Sequence, residues 1–216
     1  MSIKIILVDD HAMLRHGLSR SFEQEKDIDV VGEAKDGFTA IDLVKELSPD
    51  LVIMDIGMAG LNGIETTRRI TKDWPDVKVI GLSMHSSDKY VREMFRAGAS
   101  GYLLKDCSFD ELVEAVRIVI SGKTYISPAI GDMVIKEYTS KDDENKSVFS
   151  ILSQREREVL QLLAEGQTTK QIGQILYISP KTVEAHRLRI MDKLQIDNIA
   201  QLTKFAIQEG LTEPEP

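Results

Sequence analysis

Cysteine is nearly absent from this sequence, because Cys107 is the only one among 216 residues. A single thiol forms no disulfide within the chain and offers no pair of sulfur ligands at metal-binding spacing. Long apolar runs are missing too, and none reaches the roughly 20 residues that span a bilayer. The apolar segment 3–8 runs directly into Asp9 and Asp10, which is unlike a secretory signal. We therefore expect a cytoplasmic protein whose Cys107 is an ordinary small apolar side chain.

Positive charge is also scarce, with 27 lysine and arginine residues against 35 aspartate and glutamate residues. The net charge of −8 argues against a generic binder of nucleic acid. The segment 170–193 differs, because it carries five basic side chains and two acidic ones. This local excess suits a DNA-facing surface only if the fold concentrates it.

The first 120 residues alternate between two kinds of periodicity. Short apolar runs predict buried strands at 3–8, 30–31, 51–54, 77–82 and 101–104. Apolar residues at three- and four-residue spacing predict helices at 12–23, 37–47, 64–72, 88–97 and 109–121. Five strands that alternate with helices predict an open three-layer α/β domain with a parallel sheet.

The pattern weakens after residue 126 and then becomes wholly helical. Residues 140–147 are polar and offer nothing to bury, so we interpret 126–149 as a linker between domains 1–125 and 150–212. Ser153 with Glu156, and Thr168 with Gln171, have the spacing of helix capping boxes. Ser179 followed by Pro180 predicts a third helix start. The second domain is therefore expected to be all-α.

Polar side chains follow several of the predicted strands. Because ligands of parallel sheets sit outside the carboxyl ends of the strands, these side chains should converge in one crevice. They are Asp9, Asp10, Asp55, Ser83 and Lys105. Three neighbouring carboxylates repel one another unless a cation is present, and oxygen ligands suit Mg²⁺. Asp55 can then act as a nucleophile toward phosphorus, with Lys105 neutralising charge and the Ser83 hydroxyl donating to a phosphoryl oxygen.

Residues 3–121 resemble the receiver domain of two-component response regulators. The resemblance rests on the segments 6–11, 55–63 and 101–105, which read Ile-Leu-Val-Asp-Asp-His, Asp-Ile-Gly-Met-Ala-Gly-Leu-Asn-Gly and Gly-Tyr-Leu-Leu-Lys. It implies a flavodoxin-like, doubly wound five-stranded sheet. It also implies Asp55 as phosphoacceptor, Asp9 and Asp10 as metal-site residues with the Gly57 carbonyl as a further ligand, and Ser83 and Tyr102 as switch residues. In the switch, the hydroxyl moves toward the phosphoryl group and the ring turns inward.

Departures from the receiver pattern are few. Ala59 and Asp106 stand where many receivers have proline, and neither touches the chemistry. Gly57 and His85 lie where the family lines the route of an attacking water, so the lifetime of the phosphoryl group stays open.

Residues 150–211 resemble the LuxR-type helix-turn-helix, and with the receiver they form the arrangement of the NarL/FixJ class. The resemblance rests on segments 152–156, 170–173 and 179–186, together with Gly166. The helix after Ser179 would enter a major groove. Suitable phosphate contacts are Lys170, Thr182 and Arg187, and Lys181 lies on the same outward face. Glu184 can accept from cytosine N4, and Ala185 or Leu188 can touch a thymine methyl. On pattern alone, a small helical bundle without DNA affinity fits this segment equally well.

These residues predict a transcription factor that a histidine kinase switches by phosphoryl transfer, rather than a true enzyme. Expected partners are that sensor kinase, promoter DNA and a second copy of the phosphorylated chain, with RNA polymerase as a further candidate. One rival is a phosphohydrolase of the haloacid-dehalogenase type, but such enzymes place an acid/base Asp where this chain has Gly57. Another is a DNA binder with a degenerate receiver, against which the complete acidic set argues.

Overall fold

The computed structural model describes residues 2–84, 87–131 and 151–212, which fall into two compact units. The first unit contains the strands β1 (Ile3–Val8), β2 (Ile28–Ala34), β3 (Leu51–Asp55), β4 (Lys78–Ser83), β5 (Gly101–Leu104) and β6 (Tyr125–Ile126). Its helices are α1 (Ala12–Phe22), α2 (Gly37–Leu47), α3 (Gly63–Asp73), α4 (Asp88–Arg96) and α5 (Phe109–Ile120). In the described ranges, no helix is both long and apolar enough to cross a bilayer.

The strands form one parallel sheet in the order β2-β1-β3-β4-β5-β6. Strand residues alternate between two apolar layers. Ile5, Leu7 and Ile53 pack with Phe22 of α1 and with α5. On the other face, a Cβ added at Gly81 would meet Met94 of α4, and one added at Gly32 would meet Leu43 and Leu47 of α2. The α/β fold class predicted from alternating periodicity is confirmed.

The sheet has six strands rather than the predicted five. The extra strand β6 pairs with β5 over two residues, Gly101 with Tyr125 and Tyr102 with Ile126. A two-residue strand is too short to leave a periodic apolar signal in the sequence, so it was missed. The predicted linker 126–149 begins within this strand and lies mostly outside the described residues, and the predicted domain limits stay predictions.

The second unit is helical, as predicted. It comprises α6 (Gln154–Ala164), α7 (Thr169–Ile175), α8 (Pro180–Leu194) and α9 (Ile199–Gln208). Both predicted capping boxes are present, since Ser153 and Glu156 close the start of α6 and Thr168 and Gln171 close the start of α7. Gly166 follows the C-terminus of α6 with a φ of 75°, a conformation that glycine adopts without strain.

The apolar core of this unit lies between α6 and the other helices. Fully buried residues are Val159, Leu160, Ile172, Val183, Ile190, Leu202 and Ala206. In α8, Val183 and Ile190 are fully buried, while Leu194 is half-buried. The other residues of α8 are half-buried or exposed.

Candidate functional site

The carboxyl edge of the sheet brings together side chains that are distant in sequence. Asp9 follows β1 and Asp55 ends β3, and both are 3 % exposed. One ligand atom from each of Asp9, Asp10, His11 and Asp55 lies within 4.8 Å of all the others. The first three of these residues are adjacent in the chain, and Asp55 joins them because β1 and β3 are neighbours in the sheet.

Lys105 supplies the positive charge at this edge. Its Nζ atom lies 2.9 Å from Asp9 Oδ2 and 2.8 Å from Asp55 Oδ2. Its backbone N–H donates to the Ser83 carbonyl at 2.8 Å, which fixes the lysine at the ends of β4 and β5. The pKa of Lys105 is raised, because its two carboxylate partners outweigh the opposing effect of burial.

Asp55 is held at the end of β3 by a tight connection to α3. Gly57 N–H donates to Asp55 Oδ1 at 3.2 Å. Gly63, the first residue of α3, packs directly on the strand end: a Cβ there would lie 2.0 Å from the Asp55 carbonyl oxygen. Burial raises the pKa of Asp55, and Asp9 adds to this while Lys105 opposes it. The result is a buried carboxylate held at a fixed position at the end of β3.

The donor chemistry of this edge fits a divalent cation. Two buried carboxylates share a single lysine, so the cluster retains excess negative charge that burial makes costly. Hard carboxylate oxygens are the ligands that Mg²⁺ and similar ions prefer. The structure therefore supports an acidic pocket able to bind a metal.

His11 and His16 each lie beside a carboxylate. In the structure, His11 Nδ1 lies 2.8 Å from Asp10 Oδ1 and 3.2 Å from Asp9 Oδ1, and His16 Nδ1 lies 3.3 Å from Glu33 Oε2. The turn into α1 folds His11 back on Asp9, whose Oδ1 also accepts from His11 N at 2.7 Å.

Ser83 and Tyr102 lie side by side at the ends of β4 and β5. Both are buried, the Tyr102 ring completely, and their side chains are hydrogen-bonded to each other. Burial raises the pKa of Tyr102, so its hydroxyl stays protonated. The family resemblance implies that this ring turns inward in the switch, and that role stays a prediction. Of the two residues predicted to line the water route, Gly57 follows β3 and His85 lies outside the described residues.

Cys107 is half-buried against the core, and burial raises the pKa of its thiol to about 11. A thiol with so high a pKa is a weak nucleophile at neutral pH.

The second unit has the helix arrangement of a helix-turn-helix, with α8 after the turn. Lys170, Lys181, Thr182 and Ala185 are exposed, Leu188 is 66 % exposed, and Glu184 and Arg187 are half-buried. Thr182 Oγ1 is within 2.8 Å of Ser179 Oγ at the helix start. Glu184 is already engaged: it accepts from Thr169 Oγ1 at 2.7 Å and lies 3.5 Å from Arg187.

Polar contacts between these helices were not predicted. Lys193 of α8 binds Glu156 of α6, and the Arg155 guanidinium donates to the Leu176 carbonyl at the end of α7. The capping box at Glu156 was visible in the sequence, but nothing in the spacing indicated that the same carboxylate reaches another helix.

An acidic sheet edge with a buried lysine, followed by a helix-turn-helix, defines a two-domain signalling protein. Residues 5–117 match the response regulator receiver domain, and residues 150–206 match the luxR family of bacterial regulatory proteins. The chain is 39 % identical over 222 residues to the transcriptional regulatory protein DegU of Brevibacillus brevis, covering 96 % of this chain and 94 % of DegU.

Solved structures of response regulators resemble this chain as well. The RcsB response regulator of Salmonella typhimurium superposes with a TM-score of 0.66 at 25 % identity, covering 96 % of this chain and 98 % of RcsB. A complex of RcsB with DNA matches with a TM-score of 0.59 at 25 % identity, over 95 % and 98 %. The chain belongs to the NarL/FixJ class of two-component response regulators, with a receiver domain and a LuxR-type DNA-binding domain. It is a transcriptional regulator of that class.

Proposed function

We propose that Asp55 accepts a phosphoryl group from a sensor histidine kinase and that this modification controls promoter binding by α8. The observation that carries the proposal is the buried Asp55 carboxylate, 2.8 Å from Lys105 and next to Asp9 and Asp10. Membership in a family of two-component regulators supports the kinase and the promoter as partners. The cytoplasmic location predicted from sequence belongs to the same proposal.

Transfer is a displacement at phosphorus. A carboxylate oxygen of Asp55 forms the new O–P bond while the P–N bond of the kinase phosphohistidine breaks, and the departing imidazole keeps the electron pair and takes up a proton. Lys105 places its positive charge beside the Asp55 oxygen, and the Ser83 hydroxyl can donate to a phosphoryl oxygen once its bond to Tyr102 is released. The same groups would support slow self-phosphorylation from small phosphodonors and slow dephosphorylation.

Mg²⁺ is the proposed cofactor, held by Asp9, Asp10, Asp55 and the Gly57 carbonyl. When bound, it would neutralise charge on the phosphoryl oxygens. The carboxylate excess at this edge supports the choice of a hard dication over a softer metal.

In the DNA-binding domain, Lys170, Lys181, Thr182 and Arg187 are proposed to contact phosphates, and Glu184, Ala185 and Leu188 to face the bases. Their partial or full exposure supports this. A homodimer on two half-sites follows from the pairing of helix-turn-helix proteins with symmetric operators. RNA polymerase is the remaining proposed partner.

The test compares wild type with Asp55→Asn, each with Mg²⁺ and acetyl phosphate. Phosphorylation is measured by phosphate-affinity electrophoresis, mass by light scattering, and DNA affinity by fluorescence anisotropy. We expect wild type to gain one phosphoryl group and to bind DNA more tightly, and the variant to do neither. Phosphorylation of Asp55→Asn at another residue, or equal DNA affinity of the two proteins, would contradict the proposal.

A further inference from the structure

The last turn of the recognition helix α8 is tied to the first turn of α6 through one carboxylate oxygen. Lys193 Nζ lies 2.7 Å from Glu156 Oε2. The same oxygen accepts from Ser153 N at 2.8 Å and from Ser153 Oγ at 2.9 Å. The Glu156 side chain is only 4 % exposed, so the lysine meets a carboxylate that is already fixed in place by the helix cap.

Two further polar contacts join the helices α6, α7 and α8. Thr169, the first residue of α7, donates to Glu184 of α8 at 2.7 Å. The Arg155 guanidinium of α6 donates to the Leu176 carbonyl at the end of α7. Each pair among α6, α7 and α8 is thus joined by a directional contact in addition to apolar packing.

The apolar packing of α8 is concentrated on two side chains. Only Val183 and Ile190 are fully buried among the described residues of this 15-residue helix. Hydrophobic burial is non-directional, so two buried side chains resist separation better than rotation or sliding. Base reading, however, depends on hydrogen-bond geometry that a shift of a few tenths of an ångström disturbs.

We propose that Lys193 and Glu156 are positioning residues for DNA reading: their ion pair fixes the orientation of α8, and Lys193 contacts no phosphate. The inference deepens the proposed function, because it rests on DNA binding by α8. It removes one of the five basic side chains of segment 170–193 from the DNA-facing charge and gives it a structural partner instead.

Salt dependence distinguishes a positioning lysine from a phosphate contact. Loss of one phosphate contact lowers the slope of log K against log salt by about 0.9. Loss of a positioning contact weakens binding and leaves the slope unchanged. We expect Lys193→Met to weaken DNA binding about three- to tenfold with the wild-type slope, and Lys181→Met, at the exposed start of α8, to reduce the slope by about 0.9.

The experiment uses the full chain with Mg²⁺ and acetyl phosphate, and a fluorescein-labelled duplex that wild type selects from a random pool. Anisotropy titrations over a series of salt concentrations compare wild type with Lys193→Met, Lys193→Arg, Glu156→Gln, the double variant Glu156→Gln/Lys193→Met, and Lys181→Met as the phosphate-contact control. Glutamine keeps an oxygen that can accept from Ser153, so this change removes the charge and preserves the cap. Circular dichroism at the assay temperature verifies that each variant is folded.

We expect the effects of the Lys193 and Glu156 substitutions on DNA affinity to be coupled. Lys193→Arg should retain affinity within about twofold, since arginine can bind the same carboxylate, and the double variant should bind no more weakly than the weaker single variant. A slope reduced by about 0.9 in Lys193→Met, or additive losses in the double variant, would overturn the proposal. Failure of wild type to select any duplex would instead overturn DNA binding itself, and the inference with it.

Discussion

Lys105 Nζ lies 2.8 Å from Asp55 Oδ2, and the same nitrogen lies 2.9 Å from Asp9 Oδ2. One buried cation therefore serves two buried carboxylates, and the negative charge at this edge is only partly compensated. This arrangement costs the isolated domain stability, because burial penalises uncompensated charge. Removing either the Asp55 carboxylate or the Lys105 cation should therefore change the free energy of unfolding of the receiver.

Asp55→Asn should make the receiver more stable in the absence of divalent ions. Because the folded state raises the pKa of Asp55, ionised Asp55 costs stability above its ordinary pKa of 3.8. The asparagine removes that cost, and we expect a gain of about 1 kcal/mol at pH 7. Urea unfolding in EDTA measures it, and the difference should shrink as the pH falls toward 4. A less stable Asn variant at pH 7 would contradict this assignment of the buried charge.

Lys105→Met should destabilise the receiver by about 3 kcal/mol in EDTA, because it leaves Asp9 and Asp55 without their shared cation. Mg²⁺ should restore part of the loss, since a bound ion replaces the missing positive charge. Lys123→Met is the matched control, because Lys123 is exposed and its loss should change stability by less than about 0.5 kcal/mol. Equal effects of the two substitutions in urea unfolding would exclude a compensating role for Lys105.

The hydrogen bond between Ser83 and Tyr102 competes with donation from Ser83 to a phosphoryl group. Tyr102→Phe removes the competitor, and we expect phosphorylation by acetyl phosphate to become about two- to fivefold faster. Ser83→Ala removes the donor and should slow the same reaction. Phosphate-affinity electrophoresis over time gives both rates. Two changes in the same direction would show that the bond does not regulate Ser83.

Gly63→Ala should destabilise the receiver by more than about 3 kcal/mol, since the new Cβ would meet the Asp55 carbonyl oxygen at 2.0 Å. Phosphorylation of Asp55 should slow as well, because the strand end must shift. Gly17→Ala is the control: Gly17 lies in exposed α1 with no atom within 4 Å of its added Cβ, and alanine should stabilise the helix by about 0.5–1 kcal/mol. Thermal unfolding measures the stability of both variants. A Gly63→Ala variant as stable as wild type would contradict the close packing of Gly63 on Asp55.

Acid should weaken the DNA-binding domain through Glu156. Hydrogen bonds from Lys193 and Ser153 lower the pKa of Glu156, outweighing burial, which acts to raise it. The stability that this provides is present above the ordinary pKa of 4.5 and is lost as the pH falls below it toward the lowered value. Denaturant unfolding from pH 7 to pH 3 should show a smaller loss in Glu156→Gln than in wild type. Parallel pH profiles would mean that Glu156 contributes nothing to acid sensitivity.

The sequence predicted most of the receiver because its signals are local. Buried parallel strands leave continuous apolar runs, and β1 and β5 were predicted with their observed bounds. The approach of Asp9, Asp55 and Lys105 followed from one topological rule, since parallel strands end at a common edge. The strand order came from resemblance to a known family and not from the periodicity.

What the sequence did not indicate depends on side-chain reach. Lys193 and Glu156 are separated by 37 positions and meet only after two helices pack. Likewise, Glu184 was expected to face DNA bases, yet its carboxylate is also a partner of Thr169. No periodicity encodes such contacts, because they are set by rotamers and by helix crossing geometry rather than by spacing along the chain.

The strand β6 has a consequence for self-association. Ser127 N donates to the Tyr102 carbonyl at 3.0 Å and Tyr125 N donates to the Ser100 carbonyl at 3.1 Å. These bonds use the carbonyl of Tyr102 in β5 and that of Ser100 just before it. The open edge of this apolar strand could otherwise recruit a strand from another molecule. The two residues of β6 suffice to cover this edge because β5 is only four residues long. A chain cut before Tyr125 would expose that edge, and the shortened receiver would be more prone to aggregate through it.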